Sequence, residues 1–130
     1  MKPDTDRFKA HLKYWKDRLH LGTYTIFASD DFEEVGGQCE MNHASVIANI
    51  RIGETDDFWN EANIARHEML ELLLEPLYAL LIKSTHEDLI YRAGHEVIHR
   101  LEQILELPTD KEVGYGGKMG CKGKKKPKGK

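Results

Sequence analysis

The chain has 130 residues, of which 40% are hydrophobic and 32% are charged. This size and apolar content predict one compact domain around a single hydrophobic core. The longest uninterrupted apolar run, at residues 77–82, is much shorter than the roughly 20 residues that span a bilayer, so we expect no membrane segment.

Charge is distributed unevenly along the chain. The formal net charge is −3, but residues 118–130 contain seven lysines and no acidic residue, so removing those seven positive charges leaves −10 on residues 1–117. We predict a single domain over residues 1–108 and a disordered, Gly- and Lys-rich tail over residues 109–130. The tail would make only weak, salt-dependent contact with nucleic acid.

The cysteines indicate the redox environment. Cys39 lies in a predicted strand and Cys121 in the tail, which is not the framework of a disulfide-rich secreted domain. No apolar segment follows the first three residues in the way that a signal peptide requires. We therefore expect the chain in reducing cytoplasm.

An N-terminal helix is predicted by apolar residues at helical spacing, namely Phe8, Leu12, Trp15 and Leu19. Asp4 or Thr5 would cap its start, and Gly22 marks its end. Residues 23–28 and 45–52 are predicted strands, the second with Val46, Ala48, Ile50 and Ile52 on one face.

A further strand at residues 35–41 would pair with residues 45–52 through a turn at Asn42-His43. The sequence thus predicts a small, mostly antiparallel three-stranded sheet. Its edge, at residues 45–52, is the strand that we expect to hold an extended peptide substrate.

Helical spacing dominates from about Asp56. Pro76 should kink or loosen the first of these helices, and the Ser-x-x-Glu capping box at Ser84 and Glu87 should begin an antiparallel second helix in which Gly94 permits close approach. The predicted buried stripes are Leu70, Leu73, Leu74, Leu77 and Leu81 on the first helix, and Ile90, Val97, Ile98, Leu101 and Leu105 on the second. The fold class expected is α+β.

The chemistry of the chain is concentrated in His67-Glu68-Met69-Leu70-Glu71 and in His95 on the next helix. Residues four apart lie on the same side of a helix, so His67 and Glu71 can reach one cation. His95 would complete a set of two imidazoles and one carboxylate, which is typical of catalytic Zn²⁺. Glu68 would then accept a proton from the attacking water, as the general base.

The chain resembles the minimal zincin-like metallopeptidases encoded by bacteriophages and prophages. The resemblance covers roughly residues 8–107 and is carried by Trp15-Lys16-Asp17-Arg18-Leu19-His20-Leu21, the strand before the motif, His67-Glu68-Met69-Leu70-Glu71-Leu72-Leu73-Leu74-Glu75-Pro76-Leu77 and His95-Glu96-Val97-Ile98-His99-Arg100-Leu101-Glu102. It implies an N-terminal helix, a short sheet and two helices bearing a zinc site, with a peptide or protein substrate in the host cytoplasm. This chain has Glu71 where the family has a second histidine, and His95 or Glu96 where a glutamate is usual.

Other arrangements of the same residues remain open. His95-Glu96-Val97-Ile98-His99 is a literal His-Glu-x-x-His, with Glu71 as the third ligand, although a helical wheel places His99 far from the buried stripe. A di-iron site at Glu96-x-x-His99 would need matching motifs from four helices. The alternative function is a non-catalytic zincin-like phage protein that serves as a binding or structural module, with or without a structural metal.

Overall fold

Three helices and three strands make up the described part of the chain in a computed structural model, which describes residues 1–42, 45–81 and 86–116. The elements in chain order are α1 (Thr5–Arg18), β1 (Thr25–Ser29), β2 (Gly37–Asn42), β3 (Ile47–Ile52), α2 (Glu61–Leu81) and α3 (Glu87–Ile104). The predicted α+β fold, with one N-terminal helix, a small sheet and two C-terminal helices, is confirmed.

The sheet is mixed, with the strand order β1-β3-β2. The predicted antiparallel pairing of β2 with β3 is present, but β1 pairs with β3 in parallel, so the sheet is not mostly antiparallel. The parallel pair arises because the chain leaves β1, forms β2 at the far edge, and returns through the middle. Since β3 has a neighbour on each side, the prediction that residues 45–52 form a substrate-binding edge is wrong.

The core lies between this sheet and the first two helices. Ala48, Ile50 and Ile52 are fully buried, which confirms the predicted alternation of β3, and they pack with Phe8 and Trp15 of α1. Asp4 is the N-cap of α1, because its side chain accepts a hydrogen bond from the Arg7 amide at 3.1 Å.

The predicted leucine stripe of α2 is only partly buried. Leu70 is buried and Leu74 is half-buried, but Leu73, Leu77 and Leu81 are exposed. The core is instead reached by other apolar residues of α2, including Ile64, Ala65, Met69 and Leu72. The reason is that the sheet packs against the flank of α2 that carries these residues, and spacing along a helix does not reveal which flank will be covered. Helix α2 continues through Pro76 to Leu81.

Helix α3 packs against α2 near Gly94. A Cβ atom at position 94 would overlap the Tyr78 ring, so the missing side chain permits the close approach that the sequence predicts. Ile90 and Ile98 are buried as predicted, whereas Val97 is exposed. The predicted capping box begins at Ser84, outside the described residues.

The chain stays packed on the domain beyond the predicted boundary at residue 108. Asp110 accepts a hydrogen bond from Arg7 Nε at 2.9 Å and lies 2.9 Å from His11 Nε2. Tyr115 also donates a hydrogen bond to Asp4. Residues 109–116 therefore contact the domain through Arg7 and His11 of α1 and through Asp4, the N-cap of that helix. The rest of the predicted tail, residues 117–130, lies outside the described residues.

Among the described helices, none combines the length and the apolarity that crossing a bilayer requires.

Candidate metal centre

Helices α2 and α3 bring three of the predicted site residues together. Each of His67, Glu71 and His95 offers one ligand atom, and these atoms all lie within 4.8 Å of one another. Glu71 stands between the two imidazoles: its Oε2 is 3.5 Å from His67 Nε2, and its Oε1 is 3.5 Å from His95 Nε2. The predicted ligand set is thus assembled from one turn of α2 and one residue of α3.

Both imidazoles are oriented by a hydrogen bond at the opposite ring nitrogen. His95 Nδ1 lies 2.8 Å from the Tyr91 carbonyl oxygen, and His67 Nδ1 lies 3.0 Å from Glu102 Oε2. A carbonyl or carboxylate oxygen only accepts, so each Nδ1 carries the proton. In the neutral rings Nε2 then has its lone pair free, and both lone-pair nitrogens face Glu71.

Glu102 is suited to accept this hydrogen bond because it is ionised. Burial raises the pKa of Glu102, but the hydrogen bond from His67 and the positive charge of Arg66 outweigh burial, so its pKa lies below the usual value. Sequence reasoning did not assign a role to Glu102. Its signal was the spacing of seven residues from His95, which places both side chains on the same side of α3 two turns apart.

Glu68 is almost completely buried beside Glu71, with only 2% of the residue exposed. Burial, together with the nearby charge of Glu71, raises the pKa of Glu68 to about 9. Its Oε1 has no hydrogen-bond partner among the described residues. Without a cation, Glu68 is therefore protonated at neutral pH, and one of its oxygens is unsatisfied in the interior.

Strand β2 lies directly over Glu68. A Cβ atom at Gly37 would come 3.2 Å from Glu68 Cγ and 2.6 Å from Ile64 Cγ2, so only glycine allows the strand to approach α2 this closely. Cys39 follows on the same strand. Burial is the main cause that raises the pKa of the Cys39 thiol well above its usual value, and nearby glutamates add to it when they are ionised, so the thiol stays protonated.

The chemistry of these groups fits a divalent cation that prefers nitrogen and oxygen ligands. Two imidazole nitrogens and one carboxylate converge, and the surrounding glutamates provide negative charge. The side chain of His95 is 43% exposed, so the cluster is accessible from solvent on that side. A water or a cation next to the unsatisfied Glu68 oxygen would satisfy it.

The alternative arrangement built on His95 and His99 is not formed. The His99 side chain is 72% exposed, in agreement with its position far from the buried stripe on the helical wheel. Its Nδ1 lies 3.7 Å from Glu102 Oε1. Glu96, which would be the base in that arrangement, is 64% exposed and pairs with Arg100 at 3.4 Å.

No protein-family model matches this chain, and the searches of curated proteins and of solved structures also found no match. The resemblance to phage-encoded zincin-like peptidases therefore stays a prediction from the sequence.

Proposed function

We propose that the chain is a zinc-dependent peptidase in which His67, Glu71 and His95 bind Zn²⁺ and Glu68 is the general base. The observation that supports this most is the convergence of the three ligand atoms within 4.8 Å beside a buried, unsatisfied Glu68. Zinc bound by three protein ligands supplies a Lewis acid that polarises a carbonyl group and lowers the pKa of water to roughly 7.

Glu68 accepts the proton of the attacking water through its unsatisfied Oε1 and passes it to the leaving amine. A positive charge within about 4–6 Å lowers the pKa of a carboxyl group, so a bound cation would move Glu68 from its protonated form toward the ionised base. The same burial that raises its pKa without metal keeps bulk water away from the reacting groups.

The substrate would bind along β2. This strand is at an edge of the described sheet: β3 pairs with it on one side, and the other side would receive the peptide. Gly37 of β2 lies near Glu68, since a Cβ atom at position 37 would come 3.2 Å from Glu68 Cγ, so a peptide that added itself to this edge would pass near the general base. An extended polypeptide backbone supplies the alternating donors and acceptors that such an edge requires, which favours a peptide as the substrate.

The proposal is tested by zinc content and hydrolysis of an unstructured protein such as casein. We expect about one zinc per chain by elemental mass spectrometry, and loss of zinc in His67→Ala/His95→Ala. Glu68→Gln should keep its zinc and lose hydrolysis by a factor of about 100 or more. His99→Ala is the matched control. His99 is an exposed histidine on α3, the helix of His95, so this variant should keep both its zinc and its hydrolytic activity. Wild-type protein that binds no zinc when zinc is supplied would rule the proposal out.

A structural metal that joins α2 to α3 is a second candidate function. It is favoured by the 2% exposure of Glu68, which leaves little room for substrate at its carboxyl group, and by the origin of the ligands on two packed helices. In that case removal of zinc should lower the stability of the protein, while Glu68→Gln would alter no reaction because none occurs. Zinc binding without hydrolysis of any peptide in a diverse library would favour this candidate.

A further inference from the structure

Glu102 lies outside the proposed ligand set, but it contacts one of the ligands. Its Oε2 is 3.0 Å from His67 Nδ1, and its side chain is only 9% exposed. The bond joins α3 to the turn of α2 that carries the metal site. A hydrogen bond between a buried carboxylate and an imidazole is directional, and it fixes both the rotation of the ring and the position of its proton.

We propose that Glu102 is a positioning residue that holds His67 as the Nδ1–H tautomer and so directs the Nε2 lone pair at the metal position beside Glu71. This inference rests on the proposed function, because it takes His67 as a ligand. A neutral imidazole has one N–H group, and Glu102 fixes that group at Nδ1. Without the carboxylate, the proton is no longer held at Nδ1, and the ring can carry it at Nε2, where the proton blocks metal binding.

The packing of α3 on α2 does not rest on the Glu102 carboxylate alone. Arg66 Nη1 donates hydrogen bonds to two backbone carbonyl oxygens at the end of α3, that of Glu102 at 3.1 Å and that of Leu105 at 2.7 Å. A change of the Glu102 side chain leaves both of these bonds in place. The effect of a Glu102 substitution on His67 can therefore be separated from a general loss of packing between α2 and α3.

His95 provides an internal comparison. Its Nδ1 donates to the Tyr91 carbonyl oxygen of its own helix, so its tautomer is set by the backbone and not by Glu102. His99 also lies near Glu102, but its 3.7 Å separation exceeds hydrogen-bonding distance and its side chain is mostly exposed. Glu102 thus acts on one of the two imidazole ligands.

The test is ¹⁵N NMR of the imidazole rings in metal-free protein, together with zinc affinity measured by competition with a chelating dye. We expect Glu102→Ala to shift His67 from the Nδ1–H toward the Nε2–H tautomer, while His95 keeps its Nδ1 proton. Zinc affinity should fall by about 10- to 100-fold, as it does when a group that orients a ligand is removed. Glu102→Gln retains an oxygen acceptor, so it should restore part of the affinity. Glu96→Gln, an exposed change on the same helix, should alter neither measurement.

An unchanged His67 tautomer together with unchanged zinc affinity in Glu102→Ala would overturn the inference. If Glu102→Ala does not fold, Glu102→Met decides, because methionine keeps the length of the side chain and offers no oxygen acceptor; a His67 tautomer and a zinc affinity equal to those of wild type in that variant overturn the inference. Wild-type protein that binds no zinc refutes the proposed function instead, and the tautomer in the metal-free protein still determines whether Glu102 positions His67.

Discussion

Glu68→Gln should change how the stability of the metal-free protein depends on pH. The pKa of Glu68 is about 9 in the folded protein, against 4.5 for an ordinary glutamate, and burial is the main cause. Between these values the folded state binds one more proton than the unfolded state. The free energy of unfolding should therefore fall by about 1.4 kcal/mol for each unit of rising pH over this range.

Glutamine has nearly the same size and no proton that titrates, so Glu68→Gln should lack this loss. Between about pH 6 and about pH 8, the free energy of unfolding of the variant should rise by about 3 kcal/mol relative to that of wild type. The measurement is urea unfolding in EDTA, followed by tryptophan fluorescence at several pH values. Glu96→Gln is the matched control, because this glutamate is 64% exposed and its removal should leave the slope unchanged.

Parallel stability curves for wild type and Glu68→Gln would refute the reasoning. They would mean that Glu68 is ionised in the folded protein, or that water reaches its carboxyl group. Added zinc provides a further check, since binding beside Glu68 should release its proton and flatten the wild-type curve.

Three further predictions concern zinc, Gly94 and His11. Zinc at about 100 times its dissociation constant should stabilise wild type by about 2.7 kcal/mol in thermal unfolding, and an equal gain in His67→Ala/His95→Ala would contradict the ligand assignment. Gly94→Ala should cost about 1–3 kcal/mol in urea unfolding because the new Cβ overlaps Tyr78, whereas Gly22→Ala, with no neighbouring atom within 4 Å, should be nearly neutral. Burial lowers the pKa of His11 below its usual 6.5, despite the hydrogen bond with Asp110. The folded state therefore takes up a proton less readily than the unfolded state. Because of this difference, the free energy of unfolding should fall as the pH drops through about 6.5. His11→Gln should remove that part of the acid sensitivity, and identical acid profiles for variant and wild type would show that His11 does not cause it.

Local periodicity in the sequence was enough to predict most of the elements and to place the candidate ligands of α2. The alternation in β3 identified Ala48, Ile50 and Ile52 as core, because successive side chains of a strand point to opposite faces. The spacing of His67 and Glu71 placed them one turn apart on one side of α2, because the α-helix repeats every 3.6 residues. These features depend on residues close together in the chain, so no knowledge of the tertiary structure was needed.

Tertiary packing decided the features that depend on distant residues. The position of β3 between β1 and β2 left β2 at an edge, and the sheet covered the flank of α2 that carries Met69 and Leu72 while it left Leu77 exposed. The rotation of α3 against α2 turned His95 and Glu102 toward the site and His99 toward solvent. A periodic pattern defines the faces of a helix but not which face another helix will cover, because that choice is set by the combined packing of the sheet and all three helices.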